Sequence, residues 1–183
     1  AIAPSRKVEM SEIPVVDLGA LQGSPGERER FGRELRGICE TVGFFYVSNH
    51  GVPRAAVDDI LLQSRRFFDI PLEERQALAI TRSPFYRGYL AMGERGTNLK
   101  RPPDILEALN LGSDLGPDDP GVKAGLPLHG PNQWPHNLPG FREAVTAYQG
   151  TMLGLADRVL DALSLAIGVP SDEFRRMFEN PLV

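Results

Sequence analysis

Seven apolar residues, Phe141, Val145, Tyr148, Met152, Leu155, Val159 and Leu163, recur at steps of four, three, four, three, four and four. That rhythm is one face of an α-helix, and Gly168 with Pro170 supplies a stop, so the spacing predicts a helix over about 141–167. At the helical rise it extends about 40 Å, comparable to the full width of a compact chain of this size. An apolar stripe of that length must lie along a large apolar surface, and the rest of the chain has to supply it.

The means to do so are ordinary. The chain has 183 residues, 42% of them hydrophobic and 24% charged, which fits one domain, or one and an incomplete second, and excludes disorder and collagen. A formal charge of −4 gives no general attraction to nucleic acid or anionic lipid. Cys39 is the only cysteine, so neither an internal disulfide nor a cysteine-based zinc or iron–sulfur site can be built within the chain. A reducing compartment fits that usage. The first ten residues lack the apolar core of a signal peptide, and no stretch approaches the ~18 apolar residues of a membrane span. A soluble, cytoplasmic protein is expected.

From the amino terminus, Ile13, Pro14, Val15, Val16, Asp17 and Leu18 read as a first strand. Ser24, Pro25 and Glu27 form a capping signature ahead of Phe31, Leu35, Ile38, Cys39 and Val42, which predicts an amphipathic helix over about 25–42 stopped by Gly43. Cys39 on that stripe is expected to be a buried, inert thiol. Phe44, Phe45, Tyr46 and Val47 read as a strand buried on both faces. Pro53 opens a helix whose apolar positions include Val57, Ile60, Leu61, Phe67 and Phe68, and Pro71 restarts a short one. The class is mixed α/β, of the α+β kind, with sheet and helix layers packed together. Residues 112–139 hold eleven Gly or Pro in 28 positions, a loop long enough that it should cover something. Residues 172–179 look like a last short helix, and Asn180, Pro181, Leu182 and Val183 begin what reads as an unpaired strand, as an incomplete chain would.

Chemistry-bearing residues are sparse. A non-haem iron site needs two His and a carboxylate on one face of the metal. His50, His129 and His136 are the only histidines, and none stands two residues before Asp or Glu. Loop hydrogen bonding is the expected role for all three. No serine has a nucleophile-elbow context, and no phosphate loop or dinucleotide fingerprint is present. One segment stands out: Phe85, Tyr86, Arg87, Gly88 and Tyr89 after a Ser83–Pro84 break, followed by Thr97, Asn98, Leu99, Lys100 and Arg101 and by an apolar run from Ile105 to Leu111. These aromatics and Arg87 could wall a pocket and bind an anionic group, or could be plain sheet packing with Arg87 in a surface ion pair.

Several strings together resemble one family. Residues 43–53 (GFFYVSNHGVP), then Phe67, Phe68, Pro71, Leu72, Glu73 and Glu74, then Tyr86, Arg87, Gly88 and Tyr89, then Asp104 and Glu107, then Gly130, Pro131, Asn132, Gln133, Trp134 and Pro135 follow the order of the isopenicillin N synthase-like iron(II) and 2-oxoglutarate-dependent dioxygenases. The resemblance covers that family's amino-terminal half, the helix-and-strand layer outside a jelly-roll (double-stranded β-helix) core, with the helix over 141–167 as its support. It implies that the core, the His-x-Asp and second His that hold iron, and the arginine that anchors 2-oxoglutarate are absent from residues 1–183. No catalytic and no metal-ligating residue is therefore assigned, and no position here matches them. By implication, the complete enzyme couples oxidative decarboxylation of 2-oxoglutarate by O₂ to oxidation of a small organic substrate, usually hydroxylation. This half would wall the substrate pocket, with Tyr86 and Arg87 as substrate contacts, and alone would neither bind iron(II) tightly nor turn over 2-oxoglutarate.

A different reading is a short binding or regulatory module that kept this layer and lost catalysis. A metal-independent hydrolase finds no nucleophile–base pair.

Overall fold

The computed structural model describes residues 13–93 and 105–178. Thr97–Arg101, Asp104 and the terminal strand reading at 180–183 lie outside the described residues. The described residues divide into two compact units, one of residues 13–53 and 150–178, the other of 54–93 and 105–149.

In the first unit, β1 (Val15–Asp17) leads through a five-residue 3-10 segment to α1 (Pro25–Thr41) and then to β2 (Tyr46–Ser48). The strands are parallel, with Val15 opposite Tyr46 and Asp17 opposite Ser48, the pairing a helical crossover permits. α1 starts where the capping signature places it: the Glu27 carboxylate accepts from the Ser24 N–H at 2.7 Å and the Ser24 hydroxyl at 2.6 Å. It ends at Gly43, whose φ of +85° is the left-handed conformation that glycine adopts at little cost. Phe31 and Leu35 from α1 meet Val16, Leu18, Ala162 and Ala166 in the core. At Gly32 the approach is tight: a Cβ there would lie 2.7 Å from the Leu165 carbonyl oxygen.

Two expectations fail in this unit. Cys39 is exposed, because the buried stripe of α1 runs through Phe31, Leu35 and Ile38 and a residue one step further turns about 100° off it. The 44–47 run is not buried on both faces. Phe44 is 50% and Tyr46 49% exposed, while Phe45 and Val47 pack against the core, the alternation of a half-buried strand.

The second unit contains α2 (Arg54–Asp69), α3 (Leu72–Ala77), β3 (Gly88–Leu90), β4 (Ala108–Asn110) and the one-turn α4 (Pro120–Lys123). β3 and β4 are antiparallel, Tyr89 opposite Leu109. Phe67, Leu78, Tyr89, Leu138, Phe141 and Val145 form its core, with Phe67 stacked on Phe141 at 5.7 Å between ring centres. Leu61 is half exposed and stands outside that cluster.

α5 spans Phe141–Ile167, the limits its period predicts, and ends at Gly168, φ +75°. Gly168 and Val169 both donate to the Ser164 carbonyl. Its part through Gln149 belongs to the second unit and the remainder to the first. In the first unit its buried positions are small, Ala162, Ser164 and Ala166, flanked by Leu155, Val159 and Leu163. α6 (Ser171–Arg176) follows. Among the described residues no helix is long and apolar enough to cross a membrane.

Candidate functional site

The segment from Ser83 to Tyr89 is built around one hydroxyl. Ser83 Oγ accepts from the N–H groups of Phe85, at 3.2 Å, and Arg87, at 3.4 Å, folding the chain back after Pro84. Between them Tyr86 takes φ +57°, a conformation that costs a non-glycine residue free energy and persists only where its surroundings impose it. Its side chain is 70% exposed. Phe85 instead turns inward over Gly130, where a Cβ would fall 2.2 Å from the ring.

Arg87 is buried, at 9% exposure. Its Nη2 donates to the Leu128 carbonyl at 3.3 Å, its Nε is buried without a hydrogen-bond partner, and its guanidinium covers Gly112 so closely that a Cβ there would lie 2.3 Å from Cζ. Among the described residues no carboxylate pairs with it, so the surface ion pair considered above does not form. Leu128 is itself left-handed, φ +64°.

The glycine-rich loop closes over this segment through the Gly-Pro-Asn-Gln-Trp-Pro string. Asn132 grips the Gly112 peptide at both ends, accepting from its N–H at 2.9 Å and donating to its carbonyl at 2.7 Å. Asp114 accepts from the Asn132 N–H at 2.8 Å, Trp134 Nε1 at 3.0 Å and Arg142 Nη2 at 2.6 Å. Gln133 Nε2 reaches the carbonyls of Leu78, Ala79 and Arg87 at 3.2, 3.1 and 2.7 Å. Gly88, with φ +126°, passes beneath it, and a Cβ there would lie 2.3 Å from the Leu78 oxygen and 2.4 Å from Gln133 Nε2. Behind this, Tyr89 is almost fully buried. Its hydroxyl and Arg75 both donate to the Glu107 carboxylate, and the Arg75 guanidinium lies 5.6 Å from the Tyr89 ring centre.

The roles of Gly112, Asn132 and Gln133 were not legible in the sequence, although the Pro-flanked Asn-Gln-Trp string pointed to the place. Sequence spacing gives no hint that one amide will meet carbonyls more than forty positions away.

The histidines occupy turn and loop positions. His50 Nδ1 accepts from the Val52 N–H at 3.1 Å in the turn between β2 and α2. His129 Nδ1 lies 2.9 Å from the Pro127 carbonyl with its ring over Gly121, and His136 is exposed. Among the described residues no three His, Cys, Asp or Glu side chains gather to hold a metal ion. The described side chains therefore do not fit an iron centre.

Residues 13–137 match the sequence model of a family described as the non-haem dioxygenase in morphine synthesis, amino-terminal region. A 2-oxoglutarate-dependent dioxygenase, frbJ, from Dothideomycetidae sp. is 35% identical over 175 residues, covering 94% of this chain and 46% of its own length. The soybean (Glycine max) homoarginine-6-hydroxylase 2-ODD-C23 is 31% identical, covering 91% of this chain and 52% of the relative. Among solved structures, a 2OG-Fe(II) oxygenase family protein from Caulobacter crescentus aligns with TM-score 0.74 at 24% identity over 89% of this chain and 51% of that one. A rice dioxygenase for auxin oxidation aligns with TM-score 0.60 at 28% identity, covering 86% of this chain and 46% of that one. The chain thus spans about half the length of the relatives it matches. With the family match running from β1 through the Asn-Gln-Trp string that closes the site, the chain belongs to the non-haem dioxygenase family, in the amino-terminal region of its members.

Proposed function

We propose that this chain is the amino-terminal part of an iron(II) and 2-oxoglutarate-dependent oxidoreductase that uses O₂ to oxidise, by hydroxylation, a small organic substrate in a cytoplasmic setting. In this reading residues 1–183 supply scaffold and part of the substrate-pocket wall. The jelly-roll core, and with it the iron and 2-oxoglutarate ligands, lies in sequence beyond them. Hydroxylation is the reaction in the soybean relative's name, and the family supports iron and 2-oxoglutarate as the cofactors.

Tyr86 and Arg87 are the proposed residues of the substrate-binding wall, Tyr86 as the exposed contact and Arg87 buried behind it. The observation that carries this assignment is Tyr86: an aromatic side chain, 70% exposed, held at φ +57° between two neighbours that are both anchored inward. Backbone strain tolerated beneath an exposed aromatic is more readily explained by binding than by stability.

The test is iron(II)-dependent succinate formation by the complete polypeptide that contains this chain. Succinate should form in step with substrate oxidation, and Tyr86→Ala should raise the substrate KM severalfold. Absence of iron-dependent succinate formation would favour the non-catalytic module. An unchanged KM and kcat in Tyr86→Ala would remove Tyr86 from the pocket wall.

A further inference from the structure

We infer that Arg87 is a positioning residue whose charge does not meet the substrate, and that Gly112 is what allows it to be one. This rests on the pocket-wall reading above and deepens it. Three groups of Arg87 are engaged internally: its N–H by Ser83 Oγ, its carbonyl by Gln133 at 2.7 Å, and its Nη2 by the Leu128 carbonyl at 3.3 Å. The guanidinium lies against Gly112, a position with space for the stack only because it has no side chain, and Asn132 fixes that peptide from both ends.

An ionised group that served as an anion anchor would keep its donors turned toward an opening. Here Nη2 faces the Leu128 carbonyl, and Nε is buried with the guanidinium against the Gly112 peptide. With Phe85 anchored over Gly130 on one side and Arg87 under the loop on the other, Tyr86 has little freedom to leave its left-handed conformation. The substrate group that reaches this wall is then recognised by an aromatic face and hydroxyl, and it is uncharged and apolar or aromatic rather than a carboxylate.

The experiment places 3-fluorotyrosine at position 86 of the complete polypeptide and follows its fluorine resonance, with indole as an uncharged aromatic probe and acetate as a carboxylate probe. Indole should shift the resonance and acetate should not. Gly112→Ala evicts the guanidinium but keeps its charge; Arg87→Lys keeps the charge but not the planar stack. Both should move or broaden the resonance and weaken the indole response about tenfold. Circular dichroism reports whether each variant is folded, and Arg87→Lys carries the test if Gly112→Ala is not. A shift with acetate, no response to indole, or an Arg87→Lys variant that titrates like the wild type would overturn the inference. The pocket-wall reading fails separately: there Tyr86→Ala leaves substrate KM and kcat unchanged even though the fluorine results come out as expected.

Discussion

Replacing Gly88 by alanine tests how the site segment is held. The residue sits at φ +126°, a region essentially reserved for glycine, where any side chain costs about 1–3 kcal/mol. The added Cβ would also lie 2.3 Å from the Leu78 oxygen and 2.4 Å from Gln133 Nε2. One is backbone and the other is tied to three carbonyls, so the strand must move away. Movement breaks the Tyr89 N–H bond to the Leu78 oxygen, 2.7 Å, and at least one bond of Gln133, each worth about 0.5–1.5 kcal/mol net. The total is about 2–6 kcal/mol, a large fraction of the roughly 5–15 kcal/mol that holds an ordinary domain together. Urea unfolding followed by the fluorescence of Trp134, the single tryptophan, reads the second unit directly. Gly26→Ala is the control, because a Cβ at that helical position meets nothing within 4 Å and should be neutral or stabilising by up to about 1 kcal/mol. A loss below about 1 kcal/mol in Gly88→Ala would refute the reasoning, since the strain alone is expected to reach that value.

Three further outcomes follow from the packing and electrostatics. Asp161 accepts from Arg175 Nε at 2.8 Å and Nη2 at 2.5 Å and from the Ser171 hydroxyl, and the Arg175 hydrogen bonds hold its carboxyl below the usual range. A depressed carboxylate stabilises the fold above its unfolded pKa, about 3.9, and that contribution is lost as pH falls through the lower folded value. Thermal denaturation between pH 6 and pH 3 should therefore show Asp161→Asn less stable at pH 6 and less sensitive to acid than the wild type. Asn132→Ala removes both bonds to the Gly112 peptide and should cost about 1–3 kcal/mol, with faster hydrogen exchange at the Gly112 amide. Leu35→Ala, at a position 1% exposed, should cost about 2–5 kcal/mol by thermal or urea unfolding, mostly through the cavity it leaves.

What the sequence revealed and what it hid divide along one physical line. α5 and the start of α1 were readable because helix period and capping act within four residues, and both came out as expected. Gly43 and Gly168 stop their helices for a reason equally local. The burial of β2 was misread because an apolar run carries no sign of which face is covered; only the core formed by α1, β1 and α5 decides that Phe45 turns in and Phe44 out. At the site, the segment around Tyr86 stood out by composition. The left-handed backbone of Tyr86, the burial of Arg87 and the reach of Gln133 to the Leu78 carbonyl arise from tertiary contacts that no local pattern records.

In the function proposed above, residues 1–183 provide scaffold and pocket wall while the reactive centre is built elsewhere. Anaerobic titration of this polypeptide alone with iron(II), followed by exposure to O₂ and 2-oxoglutarate, tests it most directly. No stoichiometric iron site and no succinate above the metal-free background are expected. One iron bound per chain together with succinate release would contradict it.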